Sequence, residues 1–114
     1  MRTRSHIEIE GLRVRIARSF AARLVGLLGR RALATDEALL LAPCNNVHTL
    51  FMRFVIDVVF LDREGTIVAI KPAVRPWRMA WAPRAHSCLE LAEGAAARLS
   101  LQVGQRLPQL AACH

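Results

Sequence analysis

The chain has 114 residues, of which 16 are basic and nine acidic, giving a net charge of +7, and 54% are hydrophobic. Length and apolar content predict one domain over residues 1–114 with a packed core, and exclude a disordered or fibrous chain. Three cysteines (Cys44, Cys88 and Cys113) without C-x-x-C spacing argue against a disulfide framework or thioredoxin-like chemistry. No apolar run reaches the ~18 residues that a membrane-spanning helix requires.

The start, MRTRSHIEIEG, is polar and alternating and lacks the apolar centre of a signal peptide, so a cytoplasmic location is expected. Of the basic residues only Lys71 is a lysine, and the arginines are scattered, with no run longer than Arg30-Arg31. Aromatic residues make up 5% and tyrosine is absent, whereas a single-strand nucleic-acid reader wants aromatic platforms in a basic groove. Composition therefore argues against a nucleic-acid partner.

Ile7 to Ile16 alternates apolar and polar residues, broken at Glu10-Gly11, which predicts a hairpin or a bent strand. The period then changes. Ser19 can cap a helix, and Phe20, Leu24, Leu27 and Leu28 recur at helical spacing, so a helix is expected over about 19–29. Ala38 to Ala42 is a short apolar strand closed by Pro43 and Asn45-Asn46. Val47 to Phe54 reads as the next strand. Asp57 to Leu61 is apolar on both faces, as a central strand is. Asp62-Arg63-Glu64-Gly65 is a hairpin turn, and Thr66 to Ile70 is the returning strand.

Lys71 to Pro83 holds three prolines and both tryptophans, and is expected to be a long loop. His86 to Leu91 is a strand, Glu93 to Ala97 a turn or a single helical turn, and Leu107 to Leu110 an edge strand. Repeated helices between strands, the mark of parallel units, are missing. The pattern predicts a mainly β fold: a sandwich or barrel with one helix in the N-terminal half packed on it.

If Val47 to Leu61 were one extended strand, His48, Met52 and Phe54 would share one face, and Thr49, Arg53 and Asp57 the other. Cys44 and His48 would then stand about 13 Å apart, too far to share a metal. His86, Cys88 and Glu90 alternate onto one face of their strand, with Leu89 and Leu91 on the other. A carboxyl between two leucines is partly buried and needs a partner, for which Arg23 and Arg53 are the candidates. Trp77 and Trp81, flanked by Arg75, Arg78 and Arg84, form either a lid on the core or a contact surface. No phosphate loop, G-x-S-x-G or H-E-x-x-H motif occurs.

Several segments together resemble the domain-of-unknown-function 192 family. Arg23-Leu24-Val25-Gly26-Leu27-Leu28 is similar to its R-x-x-G-L-[LM] helix motif. His48-Thr49, Met52-Arg53 and Ile56 to Asp62 resemble its H-T-x-x-M-x-x-x-I-D-[VI]-[VI]-F-L-D segment, and Leu89-Glu90-Leu91 with Gly94 resembles L-E-L-x-x-G. The resemblance runs from about Ile9 to Leu110. Two positions depart from it: Val55 stands where the family has proline, and Gln105 where it has aspartate. The resemblance implies a compact, mostly β fold of jelly-roll-like sandwich or barrel type with one helix packed on it, and no established reaction.

These readings favour a non-catalytic binding or accessory module for a small ligand or protein partner, without cofactor or metal. Its candidate surface is formed by His48, Thr49, Met52, Arg53, Asp57, Trp77, Trp81 and Glu90. The alternatives are a small metal-dependent or acid/base enzyme using His48, His86 and Glu90, and a basic nucleic-acid-binding protein. The sequence leaves ligand identity and oligomeric state open.

Overall fold

The structure, a computed structural model, describes residues 6–17, 33–44, 46–48 and 54–111. The helix expected over about 19–29 lies outside them. Eight strands are present: β1 (His6–Ile9), β2 (Leu12–Ala17), β3 (Glu37–Leu41), β4 (Asn46–His48), β5 (Ile56–Leu61), β6 (Ile67–Val74), β7 (Met79–Trp81) and β8 (Ser87–Ala92). Six form one mixed sheet in the order β1-β2-β3-β8-β5-β6, while β4 and β7 pair separately. The expected β character is thus present, as an open sheet. The described residues form neither a closed barrel nor a jelly-roll sandwich.

The alternating Ile7–Ile16 segment is the hairpin β1–β2, turning at Glu10-Gly11. Strand β2 then runs parallel to β3. This corrects the expectation that parallel pairing is missing: residues 18–36 are a connection long enough for a crossover, which a parallel pair needs. Strand β5 lies between β8 and the edge strand β6, and every residue from Ile56 to Leu61 is buried. So is every residue of β8. These strands carry apolar side chains on both faces because both faces are covered.

The strands expected from Val47 and from Asp57 are distinct and do not join into one extended strand. β4 ends at His48 in the two-stranded sheet, and β5 begins at Ile56 in the main one. Residues 49–53 lie outside the described residues.

The turn after β5 forms as expected. Gly65 sits at φ +80, and a Cβ there would stand 2.3 Å from the Leu107 carbonyl oxygen, so both conformation and space require glycine. The C-terminal segment is laid along this turn: Leu107 N–H donates to Gly65 O (2.7 Å), Gly104 N–H to Ile67 O (2.8 Å) and Ile67 N–H to Gln105 O (2.8 Å).

Two elements differ from expectation. Residues 71–83 are not one loop, because β6 continues through Lys71 and Pro72 to Val74 and β7 follows after a short turn. Strand β6 is an edge strand with a register shift opposite Asp57, where a proline costs no ladder bond. Leu107 to Leu110 is not a strand either. Pro108–Leu110 is a 3-10 turn with proline in its first turn, where the missing N–H has no partner to lose. The helical turn expected near Ala95 is present as α1 (Ala95–Arg98), entered through Gly94 at φ 84.

Candidate functional site

Asp57 is 1% exposed. Its Oδ1 accepts the backbone N–H of Ala73 and its Oδ2 that of Ala96, each at 3.0 Å. Ala96 is in the first turn of α1, so the carboxylate supplies from a distant strand the capping acceptor that Gly94 lacks. Ala73 lies at the register shift between β5 and β6, with φ 52. One buried side chain therefore holds both a bulge and a helix start. Asp57 is not among the residues that line the groove beside it; it anchors one of that groove's walls.

This groove is open and has a volume of about 660 Å³. Lys71, Ala73, Val74 and Arg75 form one side and Arg78, Met79, Ala80 and Trp81 the other. Three cations thus face a lining in which none of the described residues is acidic. Met79 is 53% and Trp81 60% exposed, and Trp77, on the connecting turn, is 56% exposed. Ala80, between Met79 and Trp81 on β7, is buried, so alternation turns the two large side chains outward. The tryptophans are not a lid folded into the core. Arg78 Nη1 donates to Trp77 O at 3.4 Å within the turn.

The residues named from sequence are separated by this geometry. Asp57 lies opposite Leu91 and Glu90 opposite Val58, so their side chains leave opposite faces of the sheet. His48 lies opposite Met79, which brings its backbone beside the groove. Thr49, Met52, Arg53 and the candidate partner Arg23 lie outside the described residues. His86 is half-buried, its N–H donating to Leu61 O and its carbonyl accepting from Cys44, each at 2.7 Å. It precedes Glu90 by about 13 Å of strand, too far to share a metal ion. Among the described residues no three His, Cys, Asp or Glu side chains gather to hold one.

Glu90 is 5% exposed. No cation pairs with it among the described residues. Burial pushes its carboxyl up to about 8, with Cys44 adding to the effect. Cys44 Sγ donates to Asn46 O (2.8 Å) and Cys88 Sγ to Cys44 O (3.3 Å). Burial, then the bond to Cys44, raises the Cys88 thiol far above its ordinary range, which makes it a packed apolar group and no nucleophile.

Comparison with known proteins follows the same lines. The DUF192 profile, described as Uncharacterized ACR, matches residues 2–109. The chain belongs to the DUF192 family. It is 33% identical over 103 residues to UPF0127 protein PF1050 of Pyrococcus furiosus, covering 84% of this chain and 85% of that protein. Two solved structures share the fold, each with a TM-score of 0.76. One is a protein of unknown function from Novosphingobium aromaticivorans, 22% identical, covering 83% of this chain and 73% of the other. The second, from Sinorhizobium meliloti, is described as a candidate transcription regulator; it is 25% identical and covers 89% of this chain and 87% of its own. The DUF192 segment I-D-V-V-F-L-D is thus the buried strand β5 with the clamp Asp57. The L-E-L-x-x-G segment is β8 and the left-handed Gly94.

Sequence reasoning named the tryptophans and their arginine neighbours but missed Lys71, Met79 and the apolar wall. The available signal was the sequence KPAVRPWRMAW itself, which alternates cations with large apolar residues. Reading it as a loop hid the two strands that give it walls.

Proposed function

We propose that this DUF192 protein is a non-catalytic binding module whose working surface is the groove between β6 and β7. Its ligand is anionic and carries an apolar or ring group. The observation that supports this reading is the lining: Lys71, Arg75 and Arg78 around Met79 and Trp81, with no described carboxylate among them. Cations bring the ligand in and the exposed indole holds its apolar part, the composition of interface hot spots. The described lining carries no carboxylate, imidazole, hydroxyl or thiol side chain, so binding accounts for it better than catalysis does. A polyanionic partner also fits the description given to the Sinorhizobium meliloti relative.

The test is titration with an anionic naphthalene sulfonate dye, following dye and indole emission. Saturable binding that falls with salt, and that is lost in both Trp81→Ala and the Arg75→Ala/Arg78→Ala double variant, is the expected result. Binding unchanged in either variant would show that the groove is not the working surface.

A further inference from the structure

We infer that the β6–β7 groove binds single-stranded nucleic acid without strong base preference, its phosphates on Lys71, Arg75 and Arg78 and a base on Trp81. This rests on the groove reading above and names the ligand class. Three observations favour it over other anionic partners.

The first is the exposure of the rings. Trp77, on the turn after Pro76, and Trp81, on β7, are each more than half exposed. An indole held open on a β scaffold beside cations is a stacking platform, and stacking accepts any base because every base has a π-face. The second is spacing. At about 3.3 Å per residue, Lys71 on β6 and Arg75 just past its end are at most about 13 Å apart, so the groove takes a few nucleotides of backbone. The lining otherwise consists of Ala73, Val74, Met79 and Ala80. It offers no amide or hydroxyl side chain to read base edges.

The third observation disfavours the commonest way of holding an acidic peptide. An extended peptide adds to an open sheet edge through backbone hydrogen bonds. On β6 beside the groove, Pro72 has no N–H, and the Ala73 N–H is turned inward to Asp57 on β5. The edge therefore lacks a donor at Pro72, which favours a ligand held by side chains over one held through its backbone. Symmetric pairing of two copies through this face would set the cations of one against those of the other.

The experiment uses the Trp77→Phe variant, in which Trp81 is the sole reporter. Its emission is followed against a twelve-nucleotide oligo-dT, a duplex of equal length, polyglutamate and phosphatidylglycerol vesicles. Oligo-dT is expected to quench Trp81 saturably, with log affinity falling against log salt with a slope of about 2, as three neutralised phosphates require. Removing the indole (Trp81→Ala, read by fluorescence polarisation of labelled oligo-dT) weakens binding about tenfold or more. Arg78→Ala reduces the salt slope by about 0.7. Arg63→Ala, an exposed cation on the turn after β5, is the control for net charge and leaves the slope unchanged.

Equal or tighter binding of duplex, polyglutamate or vesicles would overturn the inference while leaving the groove as an anion site. Oligo-dT binding that is indifferent to Trp81→Ala would overturn it too. Dye binding at the groove without any oligo-dT response would sink the inference alone, whereas silence of every probe, dye included, would sink both it and the proposed function.

Discussion

Asp57 and Glu90 are buried to nearly the same degree on adjacent strands of one sheet, yet they live in opposite circumstances. On one face, Asp57 accepts two backbone N–H groups and ties β6 to α1. On the other, Glu90 lies opposite Leu39 and Val58, and burial drives its carboxyl up to about 8. Burial by itself does not decide what a carboxyl does. The donors aimed at it decide, because a carboxylate without them avoids its desolvation cost by keeping its proton.

The contrast can be broken most sharply at Asp57. Asp57→Ala leaves two buried N–H groups without acceptors, and should cost roughly 4 kcal/mol in urea unfolding, taking about 2 kcal/mol for each charge-assisted bond. The same variant should also weaken dye binding at the groove, since Ala73 and Val74 lose their anchor. Normal stability would show that the clamp is dispensable.

At Glu90 the sign is reversed. A carboxyl raised above its unfolded value of 4.5 gives stability that is fully present below that value and lost as pH rises through about 8. The wild-type melting temperature should therefore fall between about pH 5 and 8. Glu90→Gln should hold its own across this range, exceeding wild type by on the order of 5 kcal/mol at pH 9 and matching it near pH 4. A variant less stable than wild type at pH 9 would reveal a cation partner, the role the sequence suggested for Arg23 or Arg53.

Ser87 sharpens the comparison on a smaller scale. It shares the Asp57 face, opposite Leu61, but its buried hydroxyl has no hydrogen-bond partner among the described residues. Ser87→Ala should raise stability by about 1 kcal/mol, because an orphan polar group is removed without breaking a bond. The smallest effect is expected at the groove: Trp81→Ala should change stability by less than about 0.5 kcal/mol, as an exposed side chain outside the core.

Much of the fold was legible where one pattern dominated. The β1–β2 alternation, the doubly apolar β5 and the Asp62–Gly65 turn each follow from side-chain period or backbone demand. What escaped depended on neighbours distant in sequence. Pro72 reads as a loop residue until β6 is known to be an edge, and Leu107–Leu110 reads as a strand until its proline is seen to start a 3-10 turn. The parallel pairing of β2 and β3 leaves no trace in either strand. The site suffered for the same reason. Asp57 and Glu90 are close in the sheet, but pleat places them back to back, and Asp57 spends its oxygens on N–H groups that sequence cannot locate.

An open sheet has two rims along which a neighbouring molecule could continue it into a fibril. The β6 rim is covered at its start and interrupted near its end. Around Gly65 and Ile67 the chain's own terminal segment takes up the hydrogen bonds, and at Pro72 and Ala73 the donors are missing or spent. The covered start of this rim thus offers no free backbone for growth, and shortening the chain before Gly104 should expose it and raise aggregation, as followed by light scattering.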